Sequence, residues 1–204
     1  MNKRFPVIVA DPPWRFECWT DWKDDGTLKE STASRRVENQ YQTQGYDWLK
    51  SLPVADVAAK DCCLFLWVTW PVMRDALRLI EAWGFTYKTL GFDWVKVTGD
   101  GNAAMKLGYW TRANTEPCLL ATRGKPKRVD KGVSQVIVSG TGAHSEKPEE
   151  MYERIERLVE GPYLELFHRP RNGMFGPRPN WTFLGNEVDG KDMRDALAEV
   201  AGIA

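Results

Sequence analysis

The fold of this sequence is decided by the stretch Val7-Ile8-Val9-Ala10-Asp11-Pro12-Pro13-Trp14. The short apolar run predicts a buried strand, and Pro12 and Pro13 end it because proline cannot donate to the ladder of a central strand. An acidic side chain therefore follows directly on a strand. In open α/β sheets, ligands bind at the carboxyl ends of the strands, so Asp11 is the first candidate for a functional residue.

Downstream of this stretch, apolar runs alternate with amphipathic segments. The predicted further strands are Leu64–Val68, Thr86–Val97, Cys118–Thr122, Tyr163–Phe167 and Trp181–Leu184. The predicted helices are Pro71–Gly84, Pro148–Glu160 and a terminal helix marked by Met193, Leu197 and Val200. This alternation predicts an α/β fold with a mostly parallel central sheet and helices on both faces.

Length and charge set the class of protein. The 204 residues carry 28 basic and 28 acidic side chains, which predicts a single domain over residues 1–204 and no strong general attraction for polyanions. Two stretches without apolar periodicity, at about residues 15–46 and 98–114, predict long functional loops. The sequence has no run of roughly 18 apolar residues, which excludes an integral membrane protein, and no secretory signal, so we expect a cytoplasmic location.

The cysteines and histidines do not predict a metal site. The four cysteines are Cys18, Cys62, Cys63 and Cys118, none of them in a C-x-x-C arrangement, and the chain has 2 histidines. Structural zinc sites need closely paired Cys or His ligands. We therefore expect no metal in the reaction.

The residues after the first strand suit chemistry on an exocyclic amine. Such an amine on a purine has two N–H bonds, which the Asp11 carboxylate and the Pro12 carbonyl can accept while its lone pair faces a methyl group. Pro13 stiffens the turn, and Trp14 can stack on a flipped-out base. The alternative is a strand-ending turn with Trp14 packed beneath it and Asp11 capping a nearby helix.

The densest basic stretch lies between Arg123 and Lys131 and contains 5 basic residues and one acid. Lys125 and Lys127 are its candidates for binding the phosphates of a nucleic acid. The alternative is a solvated loop with no ligand.

Several motifs, in this order along nearly the whole chain, resemble the MT-A70-like N6-adenine methyltransferases. They are Val9-Ala10-Asp11-Pro12-Pro13-Trp14, Leu64-Phe65-Leu66-Trp67-Val68-Thr69, Glu116-Pro117-Cys118-Leu119, His144-Ser145-Glu146-Lys147-Pro148-Glu149-Glu150, Glu165-Leu166-Phe167-His168-Arg169-Pro170, Trp181 and Leu184-Gly185-Asn186-Glu187-Val188-Asp189-Gly190.

The resemblance implies a permuted Rossmann-like methyltransferase fold that uses S-adenosyl-L-methionine and releases S-adenosyl-L-homocysteine. It implies that Asp11, Pro12, Pro13 and Trp14 are catalytic, and that Tyr41 and Lys147 contact the substrate. The implied cofactor-binding residues are Asp11, Lys147, Glu165, Arg169, Arg171, Asn172, Asn186 and Glu187. Arg171 and Glu187 depart from some relatives, which have His and Gln at these positions.

The predicted reaction is methyl transfer to N6 of adenine in DNA or RNA, with a nucleic acid as partner and a second protein subunit, identical or different, as a further candidate. Two rival functions are a catalytically silent binding subunit and a protein-amide methyltransferase. Silent binding subunits typically have a degraded acidic motif, so the presence of Asp11 and Lys147 counts against this function. Protein-amide methyltransferases usually begin the motif with Asn and end it with Tyr, so Asp11 and Trp14 count against that one.

Overall fold

A computed structural model of the chain describes residues 3–14, 45–105, 108, 110–140, 146–169 and 178–203. Its centre is a seven-stranded sheet in the order β5-β3-β4-β2-β1-β6-β7. The strands are β1 (Phe5–Ala10), β2 (Ala58–Trp67), β3 (Thr86–Val97), β4 (Thr115–Arg123), β5 (Val136–Gly140), β6 (Tyr163–Leu166) and β7 (Trp181–Leu184). The helices are α1 (Tyr46–Lys50), α2 (Val54–Val57), α3 (Met73–Ala82), α4 (Glu149–Leu158), α5 (Asn186–Asp189) and α6 (Met193–Ala201), with a 3-10 turn at Trp70–Val72.

The pairing of the strands brings distant parts of the chain to one edge of the sheet. Strand β1 is parallel to both β2 and β6, and Ala10 lies opposite Leu66 of β2 on one side and Leu166 of β6 on the other. Strand β4 is antiparallel to β2 and β3. The beginning of β4 therefore lies at the carboxyl ends of β2 and β3, and its end lies at their amino ends.

The sheet is covered on both faces, as its alternating side chains require. On one face, Ile8 and Ala10 of β1 belong to a core with buried residues of α1, α2, α3 and α6. On the other face, Val7 and Val9 pack in a second core with Met151, Tyr152 and Ile155 of α4. Helix α3 follows the same logic, because its buried residues Ala76, Leu79 and Ile80 recur at helical spacing.

The predicted α/β architecture with a mostly parallel sheet is confirmed, with β4 as its antiparallel member. The strands predicted at Thr86–Val97 and Trp181–Leu184 have the observed bounds, whereas β4 begins three residues earlier than predicted, at Thr115. Strand β5 was not predicted from the sequence. It is a five-residue edge strand with exposed Val136 and Val138, so it lacks the continuous apolar signal of a buried strand.

Most of the first predicted loop, and residues 106, 107 and 109 of the second, fall outside the described ranges. Residues 15–44 are among them, while Tyr46 already belongs to α1. The described residues between 98 and 114 form no helix or strand, apart from an isolated bridge between Val97 and Ala103. Across the described ranges, none of the helices has the length and apolar character needed to cross a bilayer.

Candidate active site at the carboxyl edge of the sheet

Three charged side chains from separate segments meet where β1 ends. Asp11 follows β1, Glu116 is the second residue of β4, and Lys147 precedes α4. Because β4 runs antiparallel to β2, its first residues lie at the same edge as the end of β1. The strand order thus creates a site that no single stretch of sequence contains.

Lys147 is the centre of this cluster. Its ammonium nitrogen Nζ lies 2.8 Å from Asp11 Oδ2 and 2.8 Å from Glu116 Oε1. It also lies 5.3 Å from the centroid of the Trp67 ring, a distance at which a cation is attracted to an aromatic face. The lysine is buried, and burial alone would lower its pKa, but the two carboxylates raise the pKa above its usual value, so the side chain stays a cation.

Glu116 joins this lysine to a second one. Its Oε2 lies 2.5 Å from Nζ of Lys96, near the end of β3, while its Oε1 contacts Lys147. Burial raises the pKa of the Glu116 carboxyl, but Lys147 and Lys96 outweigh that effect and hold it below its ordinary value. The four side chains therefore alternate in charge as Asp11, Lys147, Glu116 and Lys96.

Asp11 is the member of the cluster that faces outward. Its side chain is 35% exposed, against 6% for that of Lys147 and 10% for that of Glu116. Burial of the carboxyl raises the pKa of Asp11 above its ordinary value, and Lys147 opposes this rise. A ligand can reach a carboxylate that is already oriented by a buried ammonium group.

The residues after Asp11 form a tight turn. The Trp14 amide donates to the Pro12 carbonyl oxygen at 2.8 Å, which leaves that oxygen with a second lone pair. The Trp14 indole is 6% exposed, and its Nε1–H donates to the Trp67 carbonyl at 3.0 Å. The Trp14 indole thus packs into the core of this structure, whereas stacking of Trp14 on a base stays a prediction.

A second group of polar side chains follows β6. Glu165 is a buried carboxylate within β6, and its Oε2 accepts from the Tyr152 hydroxyl at 2.9 Å and lies 3.3 Å from Nδ1 of His168. Arg169 lies three residues beyond the end of β6, and its Nε lies 3.6 Å from Oε1 of Glu187. Glu165 and Arg169 thus stand beside β1, on the side away from Glu116.

The turn after β7 packs tightly against this group. A Cβ on Gly185 would lie 2.1 Å from the His168 carbonyl oxygen, so only glycine fits there. The His168 amide also donates to the Leu184 carbonyl at 2.9 Å. This contact sets the position of Asn186 and Glu187, both exposed at the start of α5, relative to Arg169.

The MT-A70 family model matches residues 5–187, which span all seven strands and the charged cluster. The chain belongs to the MT-A70 family. The resemblance predicted from the motifs is confirmed, and with it the methyltransferase fold.

Relatives in this family have names that describe methyl transfer. The chain is 33% identical over 197 residues to the type II methyltransferase M.MunI of a Mycoplasma species, a match that covers 92% of this chain and 79% of M.MunI. It is 32% identical to the human N(6)-adenosine-methyltransferase catalytic subunit METTL3, across 94% of this chain and 30% of METTL3. The Drosophila melanogaster N(6)-adenosine-methyltransferase MT-A70-like protein is 34% identical, across 92% of this chain and 27% of that protein. The chain thus spans less than a third of the length of METTL3 and of the Drosophila protein.

The structure brings together several site residues that the MT-A70 motifs predicted. Asp11, Pro12, Pro13 and Lys147 lie at the end of β1, with Glu165, Arg169, Asn186 and Glu187 at the ends of β6 and β7. Tyr41, Arg171 and Asn172 lie outside the described residues.

Lys125 and Lys127 lie at the opposite edge of the sheet. They follow the end of β4, where the Lys125 amide donates to Oδ1 of Asp61 near the start of β2. Asp61 is six residues from Trp67 along β2, a span of about 20 Å. These lysines are therefore far from Asp11 and do not contact a base bound there.

Glu116 and Lys96 are functional-site residues that the sequence motifs do not predict. Lys96 is a charged residue within the predicted strand Thr86–Val97, and such a pattern signals a buried partner. Glu116 lies two residues before the predicted strand Cys118–Thr122 and carries no such signal. The sequence does not say which partner, because that depends on the direction of β4. Across the described ranges, no three His, Cys, Asp or Glu side chains cluster as metal ligands would.

Proposed function

We propose that this protein transfers the methyl group of S-adenosylmethionine to N6 of adenine in a nucleic acid. The observation that carries the proposal is the outward-facing Asp11 carboxylate, held 2.8 Å from the buried Lys147 ammonium at the end of β1. Membership of the MT-A70 family supports the reaction class, and relatives named as N(6)-adenosine methyltransferases support adenine N6 as the acceptor.

Asp11 would orient the amine. Lys147 contacts Oδ2, and a carboxylate has further lone pairs, so Asp11 can also accept one N–H of the exocyclic amine. The Pro12 carbonyl can accept the other N–H through its second lone pair. Two acceptors fixed in this way point the nitrogen lone pair at the methyl carbon and stabilise the positive charge that develops on nitrogen during transfer.

Lys147 would act through Asp11. A carboxylate in a desolvated site tends to take up a proton, and a protonated Asp11 would accept the amine less well. The ammonium group opposes that tendency and fixes the rotamer of the carboxylate. Glu116 contacts both Lys147 and Lys96. The Asp11 carboxylate that faces the substrate thus belongs to a cluster of two acids and two bases with no net charge.

The residues at the ends of β6 and β7 fit the cofactor in their chemistry. S-adenosylmethionine supplies an electrophilic methyl group on a sulfonium ion. A buried carboxylate such as Glu165 suits a ribose diol, and Arg169, Asn186 and Glu187 offer donors and acceptors for the adenine and the amino-acid tail. Gly185, where a Cβ would strike the backbone of His168, keeps these two loops close together. Arg171 and Asn172 complete the proposed set, and Asp11 and Lys147 border it.

The nucleic acid would present its adenine at Asp11, with Tyr41 as a further substrate contact. Lys125 and Lys127, about 20 Å away along the sheet, would bind phosphates outside the target nucleotide. Charge reversal at both lysines should then weaken binding of a long oligonucleotide and reduce its salt dependence. Unchanged affinity and salt dependence would remove these lysines from the proposal.

The decisive experiment is nucleoside mass spectrometry. The purified protein is incubated with S-adenosylmethionine and unmethylated DNA or, separately, RNA. The variants are Asp11→Ala and, as a matched control, Asp75→Ala, an exposed aspartate on α3. We expect N6-methyladenine with the wild type and Asp75→Ala but not with Asp11→Ala. Retained cofactor binding with no product from the wild type would contradict catalysis by the chain alone and favour a silent binding role.

A further inference from the structure

Trp70 is an exposed aromatic residue at the edge of the sheet that carries Asp11. It lies three residues beyond the end of β2 at Trp67, and 53% of its surface is exposed. A tryptophan with half of its surface in water gives up much of the benefit of burying an indole. Such exposure is informative where the side chain is also held in one position.

The Trp70 indole is held in this way. Its Nε1–H donates to the Thr115 hydroxyl oxygen at 3.2 Å. Thr115 also forms a side-chain hydrogen bond with Asp93 on β3, which opposes the rise that burial causes in the pKa of the Asp93 carboxyl. A hydroxyl can donate one hydrogen bond and accept another, so Thr115 can hold both partners. Trp70 is thus anchored at its polar end, and its ring remains exposed.

The anchor lies at the same edge of the sheet as the charged cluster. Thr115 directly precedes Glu116 in β4, so the two side chains point to opposite faces of the sheet at this edge. Glu116 contacts Lys147, and Lys147 contacts Asp11. Ala10 of β1 pairs with Leu66 of β2, so Trp67 is level with Asp11 in the sheet. The Cα atom of Trp70 lies at most about 11 Å from that of Trp67, because three residues separate them. A nucleic acid with its adenine at Asp11 therefore passes within reach of this indole.

Trp70 offers an exposed aromatic face for a base, which Trp14 does not. A base held by Asp11 and Pro12 is fixed at its amine edge, and its plane, or that of a neighbouring base, needs a flat apolar contact. Trp14 is buried and hydrogen-bonded to Trp67, so it offers no free face. Trp70 offers one at the same edge.

We propose that Trp70 is a stacking platform for a base of the nucleic acid substrate, either the target adenine or its neighbour. The inference rests on the proposed function, because the ligand is the substrate of that reaction. The alternative occupant of the exposed indole is a protein chain. The adjoining charged site for an amine favours the nucleic acid.

The test measures binding of an adenine-rich single-stranded oligonucleotide, as DNA and as RNA, by fluorescence anisotropy with the full chain. The variants are Trp70→Ala, Trp70→Phe and, as a control, Tyr87→Ala. Tyr87 is a 44% exposed aromatic opposite Ala121 in β4, at the other edge of the sheet. We expect Trp70→Ala to weaken binding roughly 5- to 150-fold, the range for loss of one stacked base. Trp70→Phe should retain most of the affinity, and Tyr87→Ala all of it.

Two readouts separate stacking from a general effect on the fold. The slope of log Kd against log salt should be unchanged in Trp70→Ala, since no phosphate contact is lost. Cofactor affinity, measured with S-adenosylhomocysteine, should also be unchanged. Trp70→Phe covers the case in which the alanine variant fails to fold, because the oligonucleotide should quench less tryptophan fluorescence in that variant than in the wild type.

The outcomes distinguish this inference from the proposed function. Wild-type affinity in Trp70→Ala, or equal quenching in Trp70→Phe, overturns the role of Trp70, and unaltered binding is also what a protein-docking indole predicts. If the wild type binds the oligonucleotide through Trp70 but forms no N6-methyladenine, the stacking platform stands and the proposed reaction fails. If the wild type forms N6-methyladenine and Trp70→Ala matches it in kcat/KM, the reaction stands and the platform fails.

Discussion

The Lys147 ammonium lies 2.8 Å from the Asp11 carboxylate although 136 positions separate the two residues in the chain. The contact exists because Asp11 follows the central strand β1 and Lys147, two residues before α4, lies at the carboxyl end of that strand. A buried lysine with a single carboxylate would compete with any ligand for that carboxylate. Glu116 supplies a second partner for Lys147, so Asp11 can serve a ligand as well.

This arrangement predicts how the reaction depends on pH. Burial raises the pKa of Asp11 above 3.8, its ordinary value, so its carboxylate is lost on acidification at a higher pH than in an ordinary aspartate. The single-turnover rate of methyl transfer should therefore fall as pH decreases through this raised pKa. In Lys147→Met, the opposing cation is gone, and the acidic limb should move to still higher pH.

The matched variant for this pH profile is Lys147→Arg, which keeps a cation beside Asp11. It should leave the acidic limb closer to that of the wild type than Lys147→Met does. An acidic limb at the same pH in all three proteins would contradict the role of Lys147. The profiles should be recorded at saturating cofactor, so that weaker cofactor binding does not enter the rate.

Glu116 should matter for stability as well as for activity. Glu116→Gln leaves Lys147 and Lys96 with one carboxylate fewer between them, and breaking a buried ion pair costs about 3–5 kcal/mol of the free energy of unfolding. Denaturant unfolding at pH 7 measures this loss. Because the folded-state pKa of Glu116 is lowered, its contribution is present above its unfolded pKa and is lost as pH falls through the folded value. The difference between wild type and variant should shrink accordingly on acidification.

The double variant Glu116→Gln/Lys96→Met serves as the control for this experiment. It removes one acid and one base, so the cluster keeps the Lys147 and Asp11 pair without an excess cation. It should recover part of the stability lost in Glu116→Gln. A double variant less stable by the full sum of the two single effects would show that Lys96 and Glu116 are not coupled.

Trp14 should behave as a structural residue. Trp14→Phe removes the Nε1–H that donates to the buried Trp67 carbonyl, and an unpaired buried acceptor costs about 1–3 kcal/mol. We expect a lower free energy of unfolding and an unchanged affinity for oligonucleotides. Thermal unfolding and anisotropy on the same sample measure both. Weaker oligonucleotide binding at undiminished stability would restore the stacking role that the sequence suggested.

The sequence predicts the strands of this protein better than it predicts the neighbours of its charged residues. Strand β1 and Asp11 follow from an apolar run that two prolines end, and these signals are local. The contact of Glu116 with Lys147 depends on β4 being antiparallel to β2. The apolar pattern of a strand predicts its burial but not its direction in the sheet. The burial of Trp14 is likewise a tertiary effect, since its partner Trp67 lies 53 positions away.

The last prediction concerns the loops after β6 and β7. In Gly185→Ala, the new Cβ would lie 2.1 Å from the His168 carbonyl, so one of the two loops must move. Because Arg169 follows His168 and Asn186 follows Gly185, this movement should separate the proposed cofactor residues and weaken binding of S-adenosylhomocysteine by at least about tenfold, the equivalent of 1.4 kcal/mol. Gly99→Ala is the matched control, because nothing lies within 4 Å of a Cβ there. Titration calorimetry measures both variants. Equal affinity in Gly185→Ala and Gly99→Ala would mean that the cofactor does not depend on the contact between these loops.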